Sequence, residues 1–343
     1  MGLCCSTPNY RVNRVVERHR LKFHSISTSP IWTMAASKAF PGHILTGDDD
    51  GAISLFDYHS HKLRCAFSSS QPWLRLSTPS SNISNDRHYF AGAGRDCSPS
   101  VYTFDDNLTT ITHLHSFEPH TAAIYGLCSS SDFSWIASGS RDYSVRIHDT
   151  LHQTTLCQTS PSRNVVTDMC LFDGNSNNPL IIQSAENLSI NCWNTNLEKV
   201  FSVSLNDHFA TSVCSVSCTS FASLHNGFDG GGGHLYVWDT RSLDEPYRVL
   251  EGHGERGNCV MSTSATELFS VGSDCQLKYW VFDDLFEGCK SSVSLPSIGL
   301  SLTSFDSKEG KVICVGCAQG EMLFFVVLND TIVETMRSGD VEL

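Results

Sequence analysis

Seven times along this chain a short apolar strand closes on an aromatic residue or its substitute, at a nearly constant interval. The closings read Ile53-Ser54-Leu55-Phe56, Val101-Tyr102-Thr103-Phe104, Val145-Arg146-Ile147-His148 and Ile190-Asn191-Cys192-Trp193. They continue with Leu235-Tyr236-Val237-Trp238, Leu277-Lys278-Tyr279-Trp280 and Met322-Leu323-Phe324-Phe325. Their last residues lie 48, 44, 45, 45, 42 and 45 positions apart. A fixed period in this range marks units that cannot bury their apolar faces alone and must stack on copies of themselves. Gly/Asp turns precede several closings, as in Thr46-Gly47-Asp48-Asp49-Asp50-Gly51 and Ser138-Gly139-Ser140-Arg141-Asp142. Strand, tight turn and strand at this spacing describe one four-stranded sheet, and seven sheets suffice to close a ring. The expected fold is all-β: a seven-bladed propeller over residues 24–337, a short basic N-terminal tail at 1–23 and a C-terminal tail at 338–343.

One unit carries more information than the others. Between Trp238 and Trp280 lie Gly252-His253, then Ser270 in a strand, then Asp274 in a tight turn. An indole N–H can donate to a Ser hydroxyl, the hydroxyl to an imidazole, and the imidazole to a carboxylate. Each buried polar group then has a partner, so the set fixes strand register at no desolvation cost. His253, Ser270, Asp274 and Trp280 are therefore expected to form a structural relay and not a hydrolytic triad. The third unit offers His120, Ser138 and Asp142, with His148 where a Trp would complete the set. Polar inserts at Ser77–Asp86 and Asp173–Pro179 are expected to bulge as loops. A further strand, Thr331–Met336, is expected to complete the seventh blade, the alternative being that Arg11–Arg18 pairs the N-terminus against the last strands.

Composition narrows the function. Fifteen cysteines at irregular spacing, most inside expected strands, read as small core hydrophobes, and no secretory leader is visible. Cys314-Val315-Gly316-Cys317 lacks the second pair or His that a metal finger needs. No carboxylate pair, metal cluster or activated nucleophile stands out, so the expectation is a protein without a cofactor or an enzymatic activity. The formal charge of −13 argues against nucleic acid as a partner. That charge is unevenly placed. Residues 1–24 hold Arg11, Arg14, Arg18, Arg20 and Lys22 against Glu17 alone, while the acidic body favours basic partners.

The basic head begins Met1-Gly2-Leu3-Cys4-Cys5-Ser6, the pattern of an N-myristoylation site followed by two cysteines open to palmitoylation. One acyl chain holds a protein weakly; a second chain or a basic patch makes attachment durable. Gly2, Cys4 and Cys5 are the expected lipidation sites. The five Lys/Arg residues would add electrostatic attraction to an anionic leaflet. The expected location is the cytoplasmic face of a membrane.

The repeats resemble the WD-repeat family over about residues 24–337. A narrower likeness rests on Ser160-Pro161-Ser162-Arg163-Asn164-Val165-Val166-Thr167, Ile182-Gln183-Ser184-Ala185-Glu186-Asn187 and His225-Asn226-Gly227-Phe228-Asp229-Gly230-Gly231. With Trp238-Asp239-Thr240-Arg241 and Glu251-Gly252-His253, these are similar to the WD repeat-containing protein thirty-one family of ciliary propellers. The resemblance implies a non-catalytic protein of the cilium and ciliary base. It would support intraflagellar transport and recruitment of the Bardet–Biedl coat, alongside regulators of Arf-like GTPases. His148 and the poorly matching first two units depart from the family pattern. A monomeric, membrane-anchored interaction scaffold is the leading expectation. The alternative is a substrate receptor of a cullin-type ubiquitin ligase, docking its adaptor through Trp238, Asp239 and Arg241.

Overall fold

The computed structural model describes residues 27–36, 41–79, 88–159, 164–172, 178–227, 231–283, 287–308, 310–328 and 330–337. These residues fold into seven antiparallel four-stranded sheets and contain no helix. The blades span residues 31–68, 73–116, 124–158, 166–204, 210–253, 257–294 and 299–337. Within each blade the strands are hydrogen-bonded in chain order, so every sheet is a simple meander. The expected tail at 1–23 and the sites Gly2, Cys4, Cys5, Arg11, Arg14, Arg18, Arg20 and Lys22 lie outside the described residues, as does 338–343.

The first strands of neighbouring blades touch around a central axis, and the last of them meets the first. The core is correspondingly divided. Among the described residues it forms seven apolar clusters, each shared by two adjacent blades. This is what the repeat predicts physically, since one blade has two apolar faces and covers neither of them by itself. The ring shuts where blade 7 packs on blade 1, with Phe324 beside Phe56 at 5.6 Å between ring centroids. There the Ser301 hydroxyl donates to the Ile31 carbonyl at 3.0 Å. The strand Thr331–Arg337 pairs with Met322–Leu328, so blade 7 is completed by its own fourth strand. No strand of the N-terminal region is borrowed among the described residues. At this seam a glycine is required: Gly320 has φ +82°, and a Cβ there would lie 1.9 Å from the Ser27 carbonyl oxygen.

Two irregularities recur and define the repeat better than the apolar endings do. Each first strand carries a register shift one residue into the strand, at 31/33, 73/75, 166/168, 210/212, 257/259 and 299/301, with its counterpart opposite Gly139/Ser140. A second shift recurs between third and fourth strands, immediately before Phe56, His148, Trp193, Trp280 and Phe325. In blade 2 that second shift falls immediately before Tyr102. The register therefore corrects one expected closing: Tyr102, and not Phe104, occupies the repeat position. Apolar alternation cannot tell these two residues apart, because they point to the same side of the strand. The corrected positions are 56, 102, 148, 193, 238, 280 and 325, a more even series than the one first read.

The turn between second and third strands is also shared. Its fourth residue adopts positive φ in six blades: Gly51, Cys97, Tyr143, Leu188, Cys275 and Gly320. Four of the six lack the glycine such a turn favours, which is why composition alone reads these turns unevenly. The polar inserts fall between first and second strands of blades 2 and 4, and most of their residues lie outside the described set.

Candidate functional site

The relay expected in blade 6 is brought together. His253 ends the fourth strand of blade 5, and its Nδ1–H donates to Asp274 Oδ1 at 2.8 Å. Ser270 donates its hydroxyl to His253 Nε2 at 2.7 Å and accepts the Trp280 indole N–H at 2.8 Å. Burial would by itself raise the Asp274 carboxyl, but the His253 hydrogen bond and charge bring it below the usual carboxylate range. Ser270 is fully buried between indole and imidazole, so its hydroxyl cannot meet a substrate. The relay is a strut tying the outer edge of one blade to the second and third strands of the next.

Blade 3 builds the same strut from a different residue. His120 bonds Asp142 at 2.9 Å and Ser138 at 2.8 Å, and Ser138 meets His148 Nε2 at 2.9 Å. The proton directions are forced. Asp142 can only accept, so Ser138 donates to His120 and accepts from His148; His148 Nδ1 is left to accept from Thr155 at 3.0 Å. His148 thus replaces an indole donor with an imidazole one, and burial pushes its pKa down to about 3.

A third strut was not legible in the sequence. In blade 5 the Trp238 indole donates to Ser223 at 2.9 Å, and Ser223 bonds His225, two residues further along its own strand, at 2.9 Å. His225 Nδ1–H then donates to the His208 carbonyl at 2.8 Å. The histidine arrives from within the blade, with a carbonyl in place of the carboxylate, so no Gly-His or Asp spacing announces it. Blade 4 uses an amide instead: Gln183 Oε1 accepts from Trp193 at 3.1 Å and from Asn191 at 3.3 Å. Where the closing residue is Phe56 or Phe325, its cross-strand partner is Ile44 or Ile313, Thr46 or Val315 stands in the place of the relay serine, and no relay is built.

The residues considered for adaptor docking are placed differently. Trp238 is buried and committed to Ser223. Asp239 is held by Arg241, whose hydrogen bonds and charge pull the carboxyl down to about 2. Arg241 projects into solvent, with its side chain 74% exposed. Cys314 and Cys317 are both buried strand residues, and burial pushes the Cys314 thiol well up. Among the described residues no group of three or more His, Cys, Asp or Glu is placed to hold a metal ion. Among the described residues no helix is long and apolar enough to cross a membrane.

One concave feature of this fold is the mouth of the central channel, a cavity of about 450 Å³. It lies on the face that carries the turns between second and third strands. The seven register shifts build it. Each leaves one residue of the first strand unpaired and turned inward: Trp32, Leu74, Tyr125, Thr167, Thr211, Asn258 and Leu300 all line the mouth. One step outward, Arg141, Glu186 and Ser273 come from the turns of blades 3, 4 and 6. The floor is an ion pair that reaches from blade 2 to blade 4. Arg75 Nε lies 3.3 Å from Asp168 Oδ1, and Asp168 Oδ2 accepts the Val213 N–H of blade 5 at 3.0 Å. Asp168→Ala is expected to cost about 2 kcal/mol in urea unfolding, because it strands a backbone N–H and a half-buried guanidinium. A loss below about 0.5 kcal/mol would mean the pair carries no strain across the ring.

Comparison with known proteins agrees with this geometry. A model of the WD domain, G-beta repeat, matches residues 111–149, which run from the fourth strand of blade 2 through the third strand of blade 3. The matched unit is the one containing His148, and its phase is offset from the blades by one strand, as the relays are. The chain is 22% identical over 209 residues to target of rapamycin complex subunit wat1 of Schizosaccharomyces pombe, covering 59% of this chain and 64% of that protein. It is 26% identical over 212 residues to target of rapamycin complex subunit LST8-1 of Arabidopsis thaliana, covering 59% and 65%. The chain thus spans a little under two thirds of the length of these relatives. Among solved structures, the RRP9 WD40 repeats superpose with a TM-score of 0.71 at 13% identity, over 87% of this chain and 89% of that one. U3-55K superposes at 0.67 with 14% identity, over 87% and 90%. At such identities the likeness is one of fold. The seven meandering blades make this chain an all-β, seven-bladed propeller, and its residues 111–149 match a WD40 repeat.

Proposed function

We propose that the chain is a non-enzymatic, membrane-anchored interaction scaffold that supports cilium assembly and ciliary trafficking. WD40 propellers bind protein partners and are generally scaffolds. The observation that carries the scaffold reading is the channel mouth: an open concavity lined by one side chain from every blade, above a floor closed by Arg75 and Asp168. Its relay hydroxyls are turned into the blades, so the surface offers contacts and no reacting group. The names of the similar proteins, which describe subunits of target of rapamycin complexes, support work as one member of an assembly. Residues Gly2, Cys4, Cys5 and Ser6, with the five basic residues that follow, support acyl attachment to a cytoplasmic membrane face. The likeness in residues 160–167 and 225–241 supports the cilium and its base as the location. It also supports partners among intraflagellar transport, the Bardet–Biedl coat and regulators of Arf-like GTPases.

The anchor is tested by Gly2→Ala. The variant is expected to move from the membrane pellet to the soluble fraction and to lose enrichment at the ciliary base by fluorescence microscopy. Unchanged pelleting would remove the acyl anchor from this reading, and undiminished function of the soluble variant in ciliated cells would remove its relevance.

A further inference from the structure

Blades 3 and 6 each receive an imidazole from the chain just before their first strand, and blade 4 does not. His120 stands five positions before the inward-turned Tyr125, and His253 five before Asn258. The same count back from Thr167 reaches Ser162, which lies outside the described residues. In blades 3 and 6 the imidazole bonds the relay serine and a carboxylate four residues later, Ser138 and Asp142 or Ser270 and Asp274. Register puts Gln183 and Asn187 at those two places in blade 4. Gln183 pairs across to Asn191 as Ser138 does to Arg146 and Ser270 to Lys278. Both Gln183 and Asn187 line a cavity of about 260 Å³ between blades 3 and 4. The cavity thus stands where the sister blades hold an imidazole ring.

Its inner wall is polar and neutral. Asn164 lines it and is only 8% exposed, yet its carboxamide oxygen accepts no hydrogen bond from the protein. A buried acceptor in that state is uncommon in a folded chain and calls for a donor. Gln183 gives one amide hydrogen to the Ser184 carbonyl at 3.3 Å and keeps the other, while its oxygen is taken by Trp193 and Asn191. The half-buried Trp193 and the exposed Tyr143 both line the cavity. Lys199 is the one charged side chain among the described lining residues, and its ammonium stands over the Trp193 ring, 5.3 Å from the centroid.

We propose that this cavity binds a neutral, planar nitrogen heterocycle of nucleobase size that carries both an N–H donor and a ring-nitrogen acceptor. The N–H meets Asn164 Oδ1, and the acceptor takes the remaining Gln183 amide hydrogen. Trp193 and Tyr143 flank the ring, and the exposed Asn187 stands at its solvent edge. Side-chain amides match the donor–acceptor edges of such rings, and aromatic side chains stack on their faces. Pockets for drug-sized ligands run to about 300–1,000 Å³, so this smaller cavity suits a single ring system. A cationic ligand would find no carboxylate in the described lining and would face Lys199. The site does not depend on the scaffold reading or on the acyl anchor.

Ligand-observed NMR titration of the full chain with adenine, caffeine and glucose tests the assignment. Caffeine keeps the flat purine ring but has no N–H, and glucose has donors and acceptors but is not flat. Adenine is expected to bind about ten-fold or more tightly than either, the worth of one well-made hydrogen bond in a desolvated site. Asn164→Leu removes an acceptor that the fold leaves unsatisfied. It is expected to melt at or above the wild-type temperature while weakening adenine by about ten-fold. That split separates a ligand contact from a structural one, because a residue kept for the fold loses stability when replaced. Asn187→Leu alters an exposed turn and is expected to keep the wild-type melting temperature while weakening adenine roughly five-fold. If Asn164→Leu does not fold, Asn187→Leu decides alone. No detectable adenine binding overturns the proposal, and so does glucose or caffeine binding as tightly as adenine. Adenine affinity unchanged in the folded variants overturns it as well. So does adenine binding that emerges only in Arg163→Ala, since that assigns the cavity to the chain's own side chain.

Discussion

His253→Ala is expected to lower the unfolding free energy by about 3–4 kcal/mol, the largest single-site loss from any relay described above. Three costs combine. The Ser270 hydroxyl loses its acceptor in a fully buried position, at about 1–3 kcal/mol. Asp274 keeps the Gly254 N–H at 3.0 Å and the Gln276 N–H at 3.2 Å but loses its imidazole donor. The removed ring leaves a cavity at a residue only 2% exposed. Because His253 joins blade 5 to blade 6, the loss is expected across the whole ring and as a single cooperative transition. Urea unfolding followed by tryptophan fluorescence measures it, with Trp280→Phe as the milder companion at about 1–2 kcal/mol. A His253→Ala loss below 1 kcal/mol would show that water enters the site and replaces the relay.

Acid is expected to destabilise the propeller before its carboxylates titrate. Burial pushes His225 down to about 4 and His148 down to about 3, from an ordinary value of 6.5. His120 is lowered in the same direction, burial outweighing the attraction of Asp142. In the unfolded chain these histidines bind protons below pH 6.5, whereas in the folded chain they stay neutral until the pH falls to their lowered values. Unfolding therefore takes up protons across this window, and stability present above pH 6.5 is lost progressively as the pH falls to about 4 and then 3. At about 1.4 kcal/mol per pKa unit, His225 and His148 each contribute on the order of 3–5 kcal/mol to that loss. The expected measurement is a fall in urea midpoint between pH 6.5 and 4, partly abolished in His225→Gln and in His148→Gln. A flat midpoint across that range, or one equally steep in both variants, would contradict the assignment of neutral buried imidazoles.

The two expectations share a cause. Each relay has one arrangement of protons that satisfies every group, and adding a proton to an imidazole turns an acceptor into a donor facing a donor. The chain has placed such struts in blades 3, 5 and 6, an amide network in blade 4, and apolar pairs at Phe56 and Phe325. A polar closing residue is met by a polar partner, and an apolar one by Ile44 or Ile313. That matching costs nothing in buried unsatisfied groups and explains why seven unequal repeats still form equal blades.

The channel mouth follows a second rule. A register shift repeated at one place in all seven first strands turns one residue per blade toward the axis, and side-chain identity there is free of the demands of pairing. This is why the mouth holds residues as unlike as Trp32, Asn258 and Leu300 while the strands around it are uniform. The core fixes the ring, and the shifted positions give it chemical character.

The period of about 45 residues, the apolar endings and the Gly-His, Ser, Asp and Trp spacing in the sixth unit determined an all-β ring of seven sheets. They did so because burial of a two-faced sheet by identical neighbours is set by pattern and needs no coordinates. Only the tertiary structure decided which aromatic closes blade 2, since Tyr102 and Phe104 alternate alike and register alone separates them. It alone placed His225 beside Ser223, because that relay takes its acceptor from a backbone carbonyl, which leaves no mark in sequence. It alone gathered Trp32, Leu74 and Leu300 at one channel mouth. Residues more than two hundred positions apart become neighbours only when the last blade meets the first, and ring closure is a property of the whole chain.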